Sequence, residues 1–202
     1  MNGKTHQLIG VTASIAASTV AWKFGYMGIP AYLSMIAGSC FGSYLPDIDH
    51  PGSTLGRRVK IVSKPINAIS QFFLSIYNRK GNRVALWLGE FFGHRGIFHS
   101  PLLWVALMVP LCMTLLPAIS AVWLSAIATG LLIGISIGIG MHLFADMFNP
   151  TGVPLFAPLT FHKFSIGNII TGSKKERIVI ALCFGMIVLN IGTVIFFVSK
   201  GV

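Results

Sequence analysis

Acidic residues are scarce in this sequence. Only 5 of its 202 residues are Asp or Glu, whereas Lys and Arg together number 15. Charged residues make up 10% of the chain, against roughly 25% in an ordinary soluble domain. The hydrophobic share of 54% excludes a typical soluble protein and indicates a membrane protein, and the length predicts one unit over residues 1–202.

Cysteine is nearly absent as well. Cys40, Cys112 and Cys183 all lie within apolar runs and form no C-x-x-C pair. We therefore expect neither a disulfide framework nor a thiolate zinc site, but small buried hydrophobic residues.

The net charge of +10 raises the question of nucleic acid, but the basic residues flank apolar segments. This distribution favours a lipid bilayer with anionic headgroups as the partner, and we expect no direct binding of nucleic acid.

Apolar segments dominate the chain. They cover residues 8–21, 24–46, 96–141 and 178–199, and the third is too long for one span, so we divide it near Leu116 and Pro117. The sequence thus predicts an all-α integral membrane protein with about five transmembrane helices. A signal peptide is the alternative interpretation of the first segment.

A basic region separates the second and third segments, over residues 51–95. Ile66, Ile69, Phe72, Phe73 and Ile76 recur within it at helical spacing. This pattern predicts an amphipathic helix in the membrane interface, and a helix packed on the rest of the protein is the alternative. Residues 84–92 are apolar again around one acid and receive no assignment.

Basic residues also indicate an orientation. With five spans, every Lys and Arg except Lys23 and Lys200 falls on the side that holds residues 46–100 and 142–177. The positive-inside rule makes that side cytoplasmic.

Most of the ionisable residues that are rare in this chain lie where apolar segments begin or end on that same side. Such groups need partners at membrane depth, and a cation would neutralise the carboxylates. The mixture of imidazole and carboxylate predicts two or more divalent ions, Zn²⁺ first and Mn²⁺ or Fe²⁺ as alternatives. The predicted ligands are His6, Asp47, Asp49, His50, His94, His99, His142, Asp146 and Glu176.

Local spacing refines these expectations. His142 and Asp146 are four residues apart and would share one face of a helix. Asp47 and Asp49 would point the same way if their segment were extended. The interval between His94 and His99 fits a loop that leads into a helix.

Ser100 and Pro101 resemble a helix N-cap followed by Pro at the first position, which would aim free N–H groups at an anion. Arg95 beside them could hold a phosphate in a bidentate manner. A membrane anchor, or an ion pair with Asp47 or Asp49, is the alternative for Arg95.

Three blocks carry a resemblance to a known family: LPDIDHPGSTLGRR, FGHRGIFHSPL and HLFADMFNPTGVPLFAP. They resemble the YdjM-like family of LexA-regulated, inner-membrane metal-dependent hydrolases. The likeness is poor over residues 68–90, and Phe98 stands where the family's block usually has threonine. The resemblance implies a multi-pass protein of the bacterial inner membrane, hydrolysis with a divalent metal, and expression in the SOS response to DNA damage.

These observations favour a membrane-bound metal-dependent hydrolase acting on a phosphoester, either lipid-linked or a small molecule. Arg95, His99 and Asp49 are its predicted catalytic residues. The alternative is a non-catalytic membrane protein whose metal site is structural or sensing. A peptidase is disfavoured because the H-E-x-x-H motif is absent.

Overall fold

Seven α-helices form the framework of residues 1–199, which are the part of the chain that the computed structural model describes. Within those residues the only β pairing is an isolated bridge between Val153 and Phe164. The topology predicted from the sequence puts Lys200 on the side of the membrane opposite the predicted ligands, but this residue lies outside the described residues. The helices are α1 Gly3–Lys23, α2 Ile29–Gly42, α3 Lys60–Lys80, α4 Arg83–Phe91, α5 Pro101–Ala118, α6 Val122–Met147 and α7 Lys174–Ser199.

The all-α prediction is confirmed, but the number of spans is corrected. Among the described residues, three helices rather than five are long and apolar enough to cross a bilayer, namely α5, α6 and α7. Helix α2 has 14 residues, which rise about 21 Å and fall short of a hydrocarbon core of about 30 Å. Helix α1 is long enough, but its buried face consists mainly of Thr and Ser, which lowers its hydropathy.

Among the described residues, the most extensive contact between two helices joins α2 and α6, which run in the same direction. We call this contact the seam. Ala31, Met35 and Ser39 of α2 lie against three glycines of α6 spaced four residues apart. A Cβ atom on the middle one, Gly134, would overlap the Met35 carbonyl oxygen. The glycine spacing therefore marks close helix packing, as it does elsewhere in membrane proteins.

Because α2 and α6 are parallel, their C-terminal ends lie together. Helices α1 and α7 both begin at this end, where the Glu176 carboxylate accepts hydrogen bonds from Asn2 and Thr5. Helix α5 begins here too, immediately after His99. One end of the bundle thus collects the predicted site residues, whether or not α1 and α2 cross the bilayer.

The basic region folds into a hairpin of α3 and α4. The Ser70 hydroxyl joins the two helices by donating to the Gly89 carbonyl at 2.7 Å. One side of α3 therefore packs on protein, while Ile61 and Phe72 remain exposed on another. The helix expected around residues 66–76 is confirmed, and the unassigned stretch is α4.

Candidate metal centre

The first ligand-bearing element is a short 3₁₀ turn, Leu45–Asp49, which follows α2 and has Pro46 near its start. The segment is therefore not extended, so the condition under which Asp47 and Asp49 would point the same way is not met. In a 3₁₀ helix, residues two apart lie about 240° round the axis, so Asp47 and Asp49 diverge. Each carboxylate consequently meets a different set of histidines.

Helix α6 supplies the second element, with His142 and Asp146 one turn apart near its C-terminus. The Nδ1 atom of His142 lies 2.7 Å from the Ser43 carbonyl oxygen. Because a carbonyl can only accept, Nδ1 must carry the proton. The neutral ring then presents a lone pair at Nε2, which is the arrangement found in metal-binding histidines.

The third element is the turn that precedes α5. His94 lies in this turn, and His99 ends a 3₁₀ segment, Ile97–His99. The expected loop leading into a helix is thus present. Ser100 is the N-cap of α5, but its hydroxyl donates to the Ala157 carbonyl at 2.6 Å and accepts no hydrogen bond from the N–H groups of the helix.

These elements bring seven of the nine predicted ligands into three overlapping groups. In each group, the potential ligand atoms all lie within 4.8 Å of one another. We name them the inner cluster (His6, His142, Asp146), the middle cluster (Asp47, His99, His142) and the outer cluster (Asp49, His94, His99). His142 and His99 are shared, so the clusters form a continuous chain.

The spacing in these clusters suits a metal better than hydrogen bonds. His142 Nε2 lies 3.6 Å from Asp146 Oδ2 and 3.7 Å from Asp47 Oδ1, both too long for hydrogen bonds. Tetrahedral ligands at about 2.1 Å from Zn²⁺ are about 3.4 Å apart. The distances from Asp146 to His6 and to His99 are 3.3 and 3.4 Å.

Unpaired buried atoms support the same interpretation. Within the described part of the chain, His142 Nε2, His99 Nε2 and Asp49 Oδ2 are buried without a hydrogen-bond partner. Leaving such groups unpaired costs about 1–3 kcal/mol each. The Nε2 atoms of His142 and His99 both face the carboxylates of Asp47 and Asp146, and together with Asp49 Oδ2 they fit a bound divalent cation, which would displace any proton from the imidazoles.

Electrostatics couple the clusters. Burial lowers the pKa of His99, but the carboxylates of Asp146 and Asp47 outweigh it and raise this pKa to about 9. Burial raises the pKa of Asp47, but His99 and His142 outweigh it and hold that pKa below its usual range. Burial, followed by repulsion from His142, lowers the pKa of His6 to about 3, so this ring is neutral and can offer a lone pair to a metal ion.

Arg95 lies beside the inner cluster. Its guanidinium forms an ion pair with Asp146 at 2.9 Å, rather than with Asp47 or Asp49 as the alternative interpretation supposed. It also donates to the Thr151 hydroxyl and the Gly152 carbonyl. Its φ of 61° is unusual for a residue with a side chain and costs about 1 kcal/mol or more. With this backbone conformation, the Arg95 guanidinium contacts the carboxylate of the inner cluster.

Four histidine or acidic residues lie outside the clusters, and one of them, Glu90, is an exposed acid in α4. His50 is exposed, and its ring stacks on that of His94 with centroids 4.4 Å apart. Glu176 is buried, but its oxygens accept hydrogen bonds from Asn2, Thr5 and Gly172. His162 is exposed and contacts the Phe164 ring.

Sequence reasoning missed two groups that position the ligands. Asn149 donates from Nδ2 to Asp146 Oδ1 at 2.6 Å, and the Ser43 carbonyl orients His142. Asn149 follows Asp146 by three residues, just after α6 ends, so its position next to a predicted ligand was a usable signal. A backbone carbonyl such as that of Ser43 leaves no signal in a sequence.

Comparison with known proteins identifies the family of the chain. Residues 1–199 match the model of the family described as YdjM inner membrane protein. The chain belongs to the YdjM family.

Two relatives illustrate how far the likeness extends. The uncharacterized protein YvsG of Bacillus subtilis (strain 168) is 29% identical over 181 residues, which cover 90% of this chain and 88% of YvsG. Inner membrane protein YdjM of Escherichia coli (strain K12) is 33% identical over 142 residues, which cover 69% of this chain and 58% of that protein's length. No solved structure matches the chain.

Family membership and the apolar helices together make this a protein of the bacterial inner membrane. The ligand-bearing blocks lie at one end of those helices.

Proposed function

We propose that the protein is a metal-dependent hydrolase that cleaves a phosphoester at the cytoplasmic face of the inner membrane. The observation that carries this proposal is the chain of three His/Asp clusters, in which buried imidazole and carboxylate atoms of the described residues lack hydrogen-bond partners. The distribution of Lys and Arg supports the cytoplasmic orientation.

All seven clustered residues would hold the metal, with two or more zinc ions as the best match to the ligand types. A bound divalent cation would polarise a phosphoryl oxygen and lower the pKa of a water molecule. The inner and middle clusters share His142, and Asp146 of the inner cluster also lies 3.4 Å from His99 of the middle one, so their carboxylates and imidazoles would be fixed together.

Asp49, Arg95 and His99 would carry the remaining chemistry. Asp49 Oδ2 is buried with no partner among the described residues, so it can accept a proton from an attacking water. Arg95 can exchange its contact with Asp146 for the oxygens of a phosphate and stabilise the charge that develops there. His99 belongs to both the middle and the outer cluster, so it would fix the position of one relative to the other.

The position of the centre favours a lipid-linked phosphoester. Most Lys and Arg belong to the segments that the sequence-based topology assigns to this side, and they would also attract anionic headgroups. The exposed apolar residues of α3, Ile61 and Phe72 among them, suit an interfacial position.

The test is phosphate release from phospholipid and isoprenoid phosphates by protein purified in detergent and loaded with Zn²⁺ or Mn²⁺. We expect turnover that Asp49→Asn and Arg95→Gln each reduce at least about a hundredfold. Glu90→Gln is the matched control, because Glu90 is an exposed acid outside the clusters. Absence of turnover with every metal-loaded sample and substrate would reject the proposal.

A structural or sensing metal site is the second candidate, and the burial of the inner cluster favours it. The side chains of His6 and Asp146 are only 4% and 2% exposed. A closed site of this kind typically stabilises the fold, whereas a catalytic site retains an open position. X-ray absorption would distinguish the two by the presence of a water ligand in the purified, metal-loaded protein.

A further inference from the structure

We propose that a cleft beside the metal centre binds an anionic membrane lipid, with its phosphate at Arg58 and its acyl chain along α2. This inference rests on the proposed function, since it assigns the substrate class and its place of entry.

The cleft lies between α1, α2 and the turn that follows the ligand segment. Its volume is about 370 Å³, within the range of small-molecule sites. It adjoins the centre through two chain neighbours: Gln7 follows His6, and Tyr44 precedes the Leu45–Asp49 turn. The lining residues are Gln7, Ala37, Cys40, Phe41, Tyr44, Thr54, Leu55 and Arg58.

The charged group of the cleft lies at one end. Ala37, Cys40 and Phe41 of α2 line one part, with the Gln7 amide against Cys40, while Tyr44, Thr54, Leu55 and Arg58 line the part beyond the end of α2. Residues 37 and 44 are separated by about 10 Å along the axis of a helix. A phosphate at the polar end would thus leave the upper part of an acyl chain against α2.

Charge complementarity favours an anionic headgroup. No acidic residue lines the cleft. Among residues 1–199, no carboxylate forms an ion pair with Arg58. An unpaired, exposed guanidinium beside hydroxyl groups is well suited to a phosphate.

The wall toward α1 is fixed in position. The Tyr44 hydroxyl donates to the Gln7 side-chain oxygen at 2.6 Å, and the Gln7 amide donates to the Cys40 sulfur. The shape of the cleft therefore does not depend on a ligand, which reduces the entropy lost on binding.

The experiment is photocrosslinking in nanodiscs that contain phosphatidic acid with a diazirine on one acyl chain, followed by peptide mapping. We expect label on residues 37–44 or 54–58, reduced at least about fivefold by Arg58→Gln. Arg57→Gln is the matched control, because Arg57 is an adjacent exposed arginine that does not line the cleft. Ala37→Trp, a change at an exposed position, should block labelling while Arg58 remains in place.

Several outcomes would overturn the proposal. Equal losses with Arg57→Gln and Arg58→Gln would indicate diffuse surface attraction, and equal labelling by phosphatidylcholine would remove the charge selectivity. Competition by inorganic phosphate alone, without lipid, would indicate a headgroup site with no chain. Label that depends on Lys4 instead would place the lipid in the separate cleft lined by Lys4, Val11 and Phe184.

Binding and hydrolysis are measured separately, so their failures can be distinguished. Labelling of metal-stripped wild type and of Asp146→Asn tests the lipid site without turnover. Labelling without hydrolysis in any metal-loaded sample would reject the enzyme and leave the lipid site. Hydrolysis that Arg58→Gln and Ala37→Trp leave unchanged would reject the lipid site and leave the enzyme.

Discussion

The inner and outer clusters contain similar ligands in different surroundings. His6, His142 and Asp146 are all buried, whereas His94 of the outer cluster has a side chain that is 37% exposed. The inner cluster depends on two packed helices, while the outer one depends on two turns. Asp49 and His99 of the outer cluster are buried as well, so the two clusters differ in one exposed ligand, and we expect solvent to reach the outer cluster first through His94.

The largest effect should follow loss of the acid that the inner cluster shares with Arg95. Asp146→Asn removes a charge in contact with His6, His99 and Arg95. We expect bound metal to fall by about half or more. The free energy of unfolding should fall by about 3 kcal/mol, because the largely buried guanidinium of Arg95 loses its ion-pair partner. Elemental analysis and unfolding in mixed micelles measure the two quantities.

Glu90→Gln removes the same charge from an exposed position and should change neither quantity. Wild-type metal content in Asp146→Asn would contradict the existence of the inner cluster.

A smaller effect should follow a change in the seam that positions the inner and middle clusters. Gly134→Ala places a methyl group against the Met35 carbonyl, which must move α2 and with it Asp47. Overpacking of this kind costs about 1–3 kcal/mol. We expect weaker metal binding at the middle cluster, measured by titration of stripped protein.

Gly140→Ala is the matched control, since a Cβ atom there meets nothing within 4 Å. If both variants behave alike, the separation of α2 and α6 does not set the metal centre.

The outer cluster should respond in affinity but barely in stability. His94→Ala removes a half-exposed ligand, so we expect at least about tenfold weaker binding of one ion. The free energy of unfolding should change by less than about 0.5 kcal/mol. In wild type, chelation should remove this ion first and produce a biphasic loss of metal.

His162→Ala, a change of an exposed histidine outside the clusters, should have no effect on either phase. A single phase of metal loss in wild type would show that the two clusters are not distinct in accessibility.

The sequence predicted which residues come together better than how they are arranged. Rare ionisable residues at the ends of apolar segments were enough to gather the candidate ligands, because burying such groups is costly without partners. The direction of Asp47 and Asp49 could not be predicted, since it depends on whether one short turn is extended or 3₁₀. The ion pair of Arg95 with Asp146 likewise arises from a left-handed backbone residue that no pattern signals.

The number of spans was overestimated for a related reason. Hydropathy identifies apolar segments but not the residue at which a helix ends. Helix α2 ends after 14 residues, at Gly42, and the chain then turns into the 3₁₀ segment that carries Asp47 and Asp49. The apolar residues beyond it belong to the 3₁₀ turn. Helices that pack on glycine or on Ser and Thr need less hydropathy than those that face lipid, and α1 is of this kind.

The smallest effect on metal content should follow a change at Glu176. The sequence predicted a metal ligand there, whereas in the structure this side chain joins the start of α1 to the segment before α7 by hydrogen bonds. Its oxygens accept from Asn2 N at 2.9 Å and from Gly172 N at 2.6 Å, outside all three clusters. Glu176→Gln keeps the size but sets an N–H₂ group against a backbone N–H, which should cost about 1–2 kcal/mol of stability. Metal content should stay at the wild-type value, measured beside Glu90→Gln. Loss of a whole ion would restore Glu176 as a ligand and extend the inner cluster to the start of α7, which would make the buried side of the centre the more acidic one.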